Sequence, residues 1–369
     1  MSLESLLSLI SEEGMMAAME PPAVTLQAPP TTAPAFTSAE ILPGRGMMTL
    51  QVRARLPELG EVDLIASPPL AEARARFERS ARQPFPGNES YLFGGAVLIP
   101  YANRIRGKLS ADGRTITTRI LDREVTLPAN AGGRRPGAER YAMHGLILDS
   151  EAGSLERRTS EGEDVLRGTL QAGDFGWGWP SRTELTFENV LRPGSFRLAI
   201  TARNVGDETL PIGIGWHPYF TVPSGRREQA RLHLPARSRT LVNDYDEVLP
   251  TGEVVPVAGT PYDFSPQGGK AMGDLFLDDC FVDLQTAAGE VVAEVIDPAA
   301  SYGLRVVAAS PPVRAIQVFA PPDRGFIVVE PQFNWADPFG EEWGPGADTG
   351  MALLKPGESV VYSARLELF

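Results

Sequence analysis

The sequence predicts an all-β fold, a large antiparallel β-sandwich with few short helices, and three observations lead to this prediction. The 369 residues include 37 glycines and 33 prolines, which interrupt long helices and favour turns. Short apolar runs follow one another from Ile41 onward, separated by turn signals such as Asp112-Gly113 and Pro356-Gly357. The pattern has neither the crossover helices of a parallel sheet nor the regular repeat of a propeller or solenoid.

The predicted elements follow from apolar alternation and from the turn residues that bound each run. One segment, Pro69–Arg82, combines alanines with charges of alternating sign and predicts a helix. The predicted strands are Met48–Arg55, Val62–Ile65, Gly95–Ile99, Thr115–Ile120, Arg123–Leu127, Leu146–Leu148, Asp164–Leu170, Arg182–Glu188, Phe196–Asn204, Ile212–Trp216, Arg231–Leu234, Phe281–Leu284, Val291–Ile296, Gly303–Val307, Ala315–Phe319, Phe326–Val329 and Ser359–Leu368.

The chain divides by composition at about residue 40. Within the first 40 residues, the stretch PPAVTLQAPPTTAPAFTS has five prolines and no charged residue. Such a composition is typical of a disordered or loosely attached arm. The sequence therefore predicts an arm over residues 1–40 and one β-sandwich domain over residues 41–369.

Charge and cysteine content exclude several classes of function. The net charge of −13 argues against nucleic-acid and anionic-membrane partners. The only cysteine, Cys280, excludes an internal disulfide and a cysteine-rich zinc site. The apolar start SLESLLSLI has no positive charge before Arg45, which is unlike a secretory signal and predicts a cytoplasmic location. With no phosphate loop and no metal-ligand spacing, we predict neither cofactor nor metal.

His217 is the most informative of the three histidines. In LPIGIGWHPYF, strand alternation places Trp216 on one face and His217 on the other, above the side-chain-free positions Gly213 and Gly215. Pro218 is expected to hold His217 extended and to end the strand there. A histidine packed in the core is an equally good interpretation of this pattern.

Glu330 has a similar setting, because it follows four apolar residues and precedes Pro331. A carboxylate that ends an apolar strand is desolvated, which raises its pKa and makes it a better base near neutral pH. His217 and Glu330 would suit an acid and a base on two sides of a small molecule. A glutamate that faces water at a strand end is the more common case.

Four other residues are candidate binding groups. Asn103 and Arg104 follow an apolar strand, where a guanidinium can reach hydroxyl groups. His144 stands at a loop-to-strand junction before a glycine, and Asp278 precedes a strand and can accept hydrogen bonds from a polyol. A structural histidine explains His144 equally well, and on the pattern alone a surface turn carboxylate is the better interpretation of Asp278.

Taken together, the motifs resemble those of the aldose 1-epimerases, a family of galactose mutarotase-like proteins. GGAVLIPYANRIRGKL, MHGLI, GWHPYF, FLDDCFV and VVEPQFNWADPF occur in the family's order, from about Ile41 to the C-terminus. The resemblance implies a single β-sandwich with a sugar cleft across one sheet. It also implies interconversion of the α and β anomers of free aldoses, with a small-molecule sugar as partner and without cofactor or metal.

The resemblance also implies roles for particular residues. His217 of HPYF would be the general acid to the ring oxygen, and Glu330 the general base at the anomeric hydroxyl. Arg104, His144 and Asp278 match sugar-binding positions. Departures from the family pattern, such as Asp279 where a histidine is frequent, fall beside the cleft, so galactose specificity is not carried over.

Two alternatives remain open at this point. The substrate would be a hexose 6-phosphate if Arg104, Arg106 and the Arg134-Arg135 loop formed a phosphate pocket. Alternatively, the protein would bind sugar without catalysis, in which case anomer exchange would not be accelerated. The sequence does not indicate an oligomeric state.

Overall fold

The computed structural model of the chain describes residues 21–369. Two large antiparallel sheets of eleven and nine strands pack against each other within this range. One apolar core contains residues of both sheets, such as Phe220 and Val329 from the first and Phe187 and Leu304 from the second. The predicted fold class, an antiparallel β-sandwich with little helix, is confirmed.

Strands are numbered β1–β28 in chain order. The eleven-stranded sheet has the order β1-β2-β3-β5-β17-β26-β25-β22-β19-β20, with β4 paired to β3. Its strands are β1 Val24–Gln27, β2 Ala35–Leu42, β3 Met48–Leu56, β4 Gly60–Asp63, β5 Gly95–Leu98, β17 Gly215–Thr221, β19 Ala236–Val242, β20 Pro250–Pro256, β22 Leu277–Leu284, β25 Ala315–Ala320 and β26 Phe326–Gln332.

The nine-stranded sheet has the order β12-β13-β14-β15-β28-β24-β23-β18-β21. Its strands are β12 Ser154–Thr159, β13 Asp164–Gly173, β14 Thr183–Arg192, β15 Ser195–Asn204, β18 Arg231–His233, β21 Lys270–Ala271, β23 Val291–Asp297, β24 Tyr302–Ala308 and β28 Ser359–Leu368. Small sheets contain β6 Arg104–Ile105, β7 Lys108–Leu109, β8 Thr115–Ile120, β9 Arg123–Pro128, β10 Ala131–Gly132, β11 Arg140–Met143, β16 Leu210–Ile212 and β27 Ala352–Leu354.

Helical structure lies outside the sandwich core. The helix α1, Leu70–Ser80, confirms the helix predicted over this segment. It buries Ala73 and Phe77 against Met48 and Leu50 of the eleven-stranded sheet. Short 3₁₀ helices occupy Pro86–Tyr91, Pro298–Ala300 and Glu341–Trp343. No helix among residues 21–369 combines the length and the apolar character needed to cross a membrane.

Part of the predicted N-terminal arm belongs to the sandwich. Residues 24–42 form β1 and β2, which pair with each other, and β2 pairs with β3. Leu26 and Phe36 are buried in the main core. The prediction of a loose arm was therefore wrong for residues 24–40, because the prolines lie before β1 or between the two strands and leave their pairing positions free. Residues 1–20 lie outside the described residues.

Most other strand predictions were correct in type but not always in extent. The prediction of one strand over Ile212–Trp216 was wrong, because β16 ends at Ile212 and β17 of another sheet begins at Gly215. The prediction of a strand at Leu146–Leu148 was wrong, since this segment is a turn. Strands β12, β19 and β20 had no apolar alternation that sequence could detect, and β12 is exposed along its whole length. They are strands because their neighbours offer hydrogen-bonding partners.

Candidate active site

The candidate site lies on the face of the eleven-stranded sheet that points away from the core. Gln317 pairs with Glu330, and Gly215 pairs with Gln332 in the adjoining strand. The same register places His217 opposite Glu330. Trp216 points to the opposite face, into the core, so the alternation predicted for this segment is confirmed. Two residues that are 113 positions apart in the sequence thus become neighbours.

Neither His217 nor Glu330 ends its strand, so the prediction that both stand at strand ends was wrong. Strand β17 continues past Pro218 to Thr221, and β26 continues past Pro331 to Gln332. A proline cannot donate to the ladder, but each proline retains a pairing partner, Gly95 for Pro218 and Ile316 for Pro331. The strands therefore persist where the sequence alone indicated a stop.

The glycines next to His217 do not leave open space. A Cβ atom on Gly215 would lie 2.8 Å from the Cβ of Ala102, and one on Gly213 would overlap the Asn334 side chain. The Asn334 amide also bonds the backbone of Ala102. Glycine is therefore needed at 215 because Ala102 packs against it, and at 213 because the Asn334 amide occupies the space of a side chain.

His217 and Glu330 form the central pair of the site. His217 Nε2 lies 3.4 Å from Glu330 Oε2, and the side chains are 7% and 0% exposed. His217 Nδ1 and both oxygens of Glu330 have no hydrogen-bond partner among the described residues. Buried polar atoms are normally satisfied, so the unpartnered atoms of this pair mark it as a candidate site for a polar ligand.

Burial shifts the two pKa values in opposite directions. It lowers the pKa of His217 to about 4, and the positive charge of Arg104 acts in the same direction. Burial raises the pKa of Glu330 well above its ordinary range; Asp278 adds to this shift and Arg104 opposes it. Burial therefore favours the state of the pair in which both groups are neutral, with the proton on Glu330.

Arg104 is fixed beside this pair by a polar network. Its Nη1 donates to Asn103 Oδ1 at 2.8 Å and its Nη2 to Asp278 Oδ2 at 3.3 Å. Gln317 donates to Asp278 Oδ1 at 2.6 Å and accepts from Asn103 Nδ2 at 2.9 Å. Arg104 Nε has no partner among the described residues. Asn103 uses both of its amide atoms on Arg104 and Gln317, which makes it a positioning residue.

His144 completes the group on the other side of His217. The two rings meet edge to face with centroids 5.0 Å apart, and burial lowers the pKa of His144 well below its ordinary range. His144 has a φ of 65° and Gly145 a φ of 80°. A Cβ atom on Gly145 would overlap the carbonyl of Ile99, so glycine is required for this turn to aim the histidine into the cleft.

The structure thus brings together all six residues predicted from the sequence: Asn103, Arg104, His144, His217, Asp278 and Glu330. Sequence reasoning missed Gln317, Tyr219 and Tyr91. Tyr219 packs on His217 with ring centroids 5.0 Å apart, and its hydroxyl donates to the Tyr91 carbonyl. Gln317 could have been found from the sequence, because it is an amide at an alternating position of an apolar strand.

Two of the basic groups suggested for a phosphate pocket, Arg106 and Arg135, are paired with carboxylates. Arg106 donates twice to Glu139, and Arg135 pairs with Asp244 and Asp246. Within residues 21–369, no cluster of three or more histidine, cysteine or acidic side chains is arranged to hold a metal ion.

The fold and the matched region define the class of protein. The fold is that of the galactose mutarotase-like proteins, as in one from Clostridium acetobutylicum, which is 17% identical with a TM-score of 0.68 over 90% of this chain and 91% of that chain. A putative aldose 1-epimerase from Escherichia coli K12 is 17% identical, with a TM-score of 0.64 over 94% and 99%. A galactose 1-epimerase from Lactobacillus acidophilus is 18% identical, with a TM-score of 0.65 over 94% and 98%. The family model for aldose 1-epimerase matches residues 83–367, so the chain belongs to the aldose 1-epimerase family.

Proposed function

We propose that this protein is an aldose 1-epimerase that interconverts the α and β anomers of a free aldose such as glucose or galactose. The observation that carries the proposal is the buried His217–Glu330 pair, with 3.4 Å between Nε2 and Oε2 and no other partner for the carboxylate. Family membership supports the same reaction class.

The reaction needs one base and one acid on the same edge of the sugar ring. Glu330 takes the proton from the C1 hydroxyl while His217 gives a proton to the ring oxygen O5, and the C1–O5 bond breaks. Rotation about C1–C2 turns the other face of the aldehyde to O5. Glu330 then returns its proton to the carbonyl oxygen while His217 takes the O5 proton, and the ring closes as the other anomer.

One proton shared by the pair is sufficient for this cycle. Before ring opening it resides on His217, and after ring opening it resides on Glu330. Burial favours the second arrangement, in which both groups are neutral. Hydrogen bonds from the sugar to the Glu330 carboxylate favour the first arrangement, so binding prepares the pair for ring opening.

The remaining groups would orient the sugar. Arg104 and Asp278 offer a donor and an acceptor next to each other, which suits neighbouring hydroxyl groups. His144, held neutral by burial, has a free Nδ1 for a further hydroxyl. Asn103 keeps the Arg104 guanidinium in position.

A free sugar fits this site better than a hexose 6-phosphate. A phosphate ester needs uncommitted positive charge, yet Arg106 and Arg135 are each neutralised by carboxylates. The Arg104 guanidinium is likewise paired with Asp278. The paired charges support an uncharged aldose as substrate.

The test is polarimetry of freshly dissolved α-D-glucose and α-D-galactose with the wild type, His217→Asn and Glu330→Gln. We expect acceleration by the wild type and a loss of about 10²–10⁴-fold in each variant, which is the usual contribution of one acid or base. His233→Asn, in β18 of the other sheet, is the matched control and should retain full activity.

Other outcomes would contradict the proposal in different ways. Unchanged rates in both variants would reject the assigned roles. Sugar binding by calorimetry without acceleration would favour the non-catalytic alternative. A glucose 6-phosphate rate that exceeds the glucose rate would favour the phosphate alternative.

A further inference from the structure

Arg104 belongs to a strand of only two residues, β6, whose backbone needs partners on both edges. On one edge β6 pairs with β11, and beside this pairing the backbone N–H of His144 donates to the Asn103 carbonyl at 2.8 Å. Successive residues of a strand direct their backbone groups to opposite edges. The backbone groups of Arg104 and Arg106 therefore need partners on the edge away from β11, because buried backbone groups are normally paired.

Asp337 supplies these partners. Its backbone N–H donates to the Arg104 carbonyl at 2.7 Å, and its Oδ1 accepts from the Arg106 backbone N–H at 3.0 Å. One residue thus offers a donor and an acceptor to two residues of the same strand edge, as a further strand would. The segment that carries the Arg104 guanidinium is therefore held between β11 and Asp337.

The loop that follows β26 fixes Asp337 itself. Asp337 is 3% exposed and has a φ of 48°. Aspartate and asparagine tolerate this left-handed conformation better than most side chains. The Asp337 carbonyl accepts from the Gly340 backbone N–H at 2.8 Å and from Trp343 Nε1 at 3.0 Å. Asp337 therefore presents its carboxyl group to β6 from a rigid backbone.

The Asp337 carboxyl group also meets the side chain of Glu342, which lies within hydrogen-bond reach of it. Burial and the negative charge of Glu342 raise the pKa of Asp337 to about 7, and the hydrogen bond from the Arg106 N–H acts in the opposite direction. The carboxyl group therefore carries a proton for part of the time at neutral pH. A neutral side chain of the same shape is compatible with this position.

The place of the Arg104 guanidinium matters for the whole candidate site. Its Nη2 donates to Asp278 Oδ2 at 3.3 Å. Its positive charge lowers the pKa of His217 and opposes the rise in the pKa of Glu330. A shift of the β6 backbone would move the guanidinium away from Asp278, and the sugar hydroxyl groups would then lose an aligned donor and acceptor.

We propose that Asp337 is a positioning residue of the active site, which holds the β6 backbone so that Arg104 can bind the sugar. This inference rests on the proposed function and adds to it a residue that acts through Arg104 rather than on the sugar itself. Two substitutions separate the parts of this role. Glycine adopts the same φ and keeps the backbone N–H but removes the acceptor for Arg106, whereas asparagine keeps both groups.

The test compares the wild type, Asp337→Gly and Asp337→Asn by polarimetry of α-D-glucose and α-D-galactose. We expect Asp337→Gly to raise the KM about three- to tenfold, the effect of about one hydrogen bond, with kcat changed less than about twofold. Asp337→Asn should keep the KM within about twofold of the wild type. Glu341→Gln, an exposed neighbour in the 3₁₀ helix, is the matched control. Asp337→Ala replaces the glycine variant if circular dichroism shows that Asp337→Gly is unfolded.

A second background shows whether Asp337 acts through Arg104. Arg104→Gln removes the guanidinium and should raise the KM by itself. Asp337→Gly added to Arg104→Gln should raise the KM less than about twofold further, because two residues that act as a unit are not additive. A further three- to tenfold increase would overturn the inference, since Asp337 would then act by another route.

The remaining outcomes separate this inference from the proposed function. Equal KM values for the wild type and Asp337→Gly would reject the positioning role and leave the proposed function in place. A loss of activity in Asp337→Asn equal to that in Asp337→Gly would also reject it. If the wild type accelerates neither sugar, the proposed function is rejected, and dissociation constants from calorimetry take the place of KM. A three- to tenfold rise for Asp337→Gly alone would then support the positioning role, and equal constants or an absence of binding would overturn it.

Discussion

Four carboxylates among residues 21–369 are completely buried, and two of them form an instructive contrast: Glu330 in the candidate active site and Asp164 in the nine-stranded sheet. Asp164 accepts from the Gln27 backbone at 2.9 Å, from Arg157 Nε at 3.1 Å and from Thr159 Oγ1 at 3.0 Å. Glu330 accepts from no described group.

The hydrogen-bond partners decide whether the pKa of each buried carboxyl group is lowered or raised. Burial alone would raise the pKa of Asp164, but the hydrogen bonds from Arg157, Gln27 and Thr159 bring it below 3.8. Burial raises the pKa of Glu330 with little to oppose it. Asp164 is thus a fixed anion that fastens β1 to β12 and β13, whereas burial without such partners favours the neutral, protonated form of Glu330.

The largest expected effect is the loss of activity in a Glu330 variant, whose stability should change little. Glu330→Gln should lower kcat/KM by about 10²–10⁴-fold, since the amide cannot take the C1 hydroxyl proton. The free energy of unfolding should change by less than about 1 kcal/mol, because the carboxyl group has no hydrogen bond to lose. Polarimetry and urea unfolding measure the two quantities, and Glu156→Gln in exposed β12 is the control. A large loss of stability would show that Glu330 has a structural role.

The reverse pattern is expected at Asp164. Asp164→Asn should lower the free energy of unfolding by about 2–3 kcal/mol, because charged hydrogen bonds to Arg157 are lost and an amide N–H group faces donors. The kcat of the folded protein should be unchanged. Urea denaturation with parallel polarimetry tests this. Equal unfolding midpoints for wild type and variant would contradict the stabilising role of Asp164.

Acid pH should affect activity through His217. A second proton on the pair removes the base, so kcat/KM should fall about tenfold per pH unit below about pH 4, the pKa of His217. The stabilisation from Asp164 is present above its unfolded pKa of 3.8 and is lost only as the pH falls through its lower folded value. A pH profile of initial rates, with circular dichroism at each pH, tests the order of the two events. Inactivation that coincides with unfolding would contradict it.

The smallest effect on the free energy of unfolding is expected at an exposed carboxylate, Asp63. Asp63 pairs with Arg53 at 2.8 Å, and the side chains are 56% and 33% exposed. Asp63→Asn should change the free energy of unfolding by less than about 0.5 kcal/mol, because solvent screens the pair. Urea unfolding beside Asp164→Asn measures this difference directly, and a loss similar to that of Asp164→Asn would mean that hydrogen-bond partners do not explain the comparison.

The sequence was most informative where alternation was regular. It placed Trp216 and His217 on opposite faces, and it identified the helix at Leu70–Ser80. It failed where a feature depends on distant partners. Strands β1 and β2 were hidden by prolines, and β12 has no apolar face, so only their neighbours make them strands.

In the candidate site, too, the residue types were evident from the sequence, whereas the contacts between distant segments were not. The motifs identified all six predicted residues, because the chemistry of a histidine, a carboxylate or a guanidinium is evident from the residue itself. Asn103 could not be recognised as a positioning residue, since its contact with Gln317 joins segments 214 positions apart. Nor could sequence show that Ala102 occupies the space beside Gly215.

The sequence by itself determined the fold class, the faces of the strands and the chemical groups available for catalysis, because these depend on local periodicity and residue type. The tertiary structure decided which groups meet and in which state of charge. The pairing of β17 with β26 places His217 opposite Glu330, and burial sets their pKa values in opposite directions. Distance and desolvation arise only when segments far apart in the chain pack together, which is why the sequence alone could not supply them.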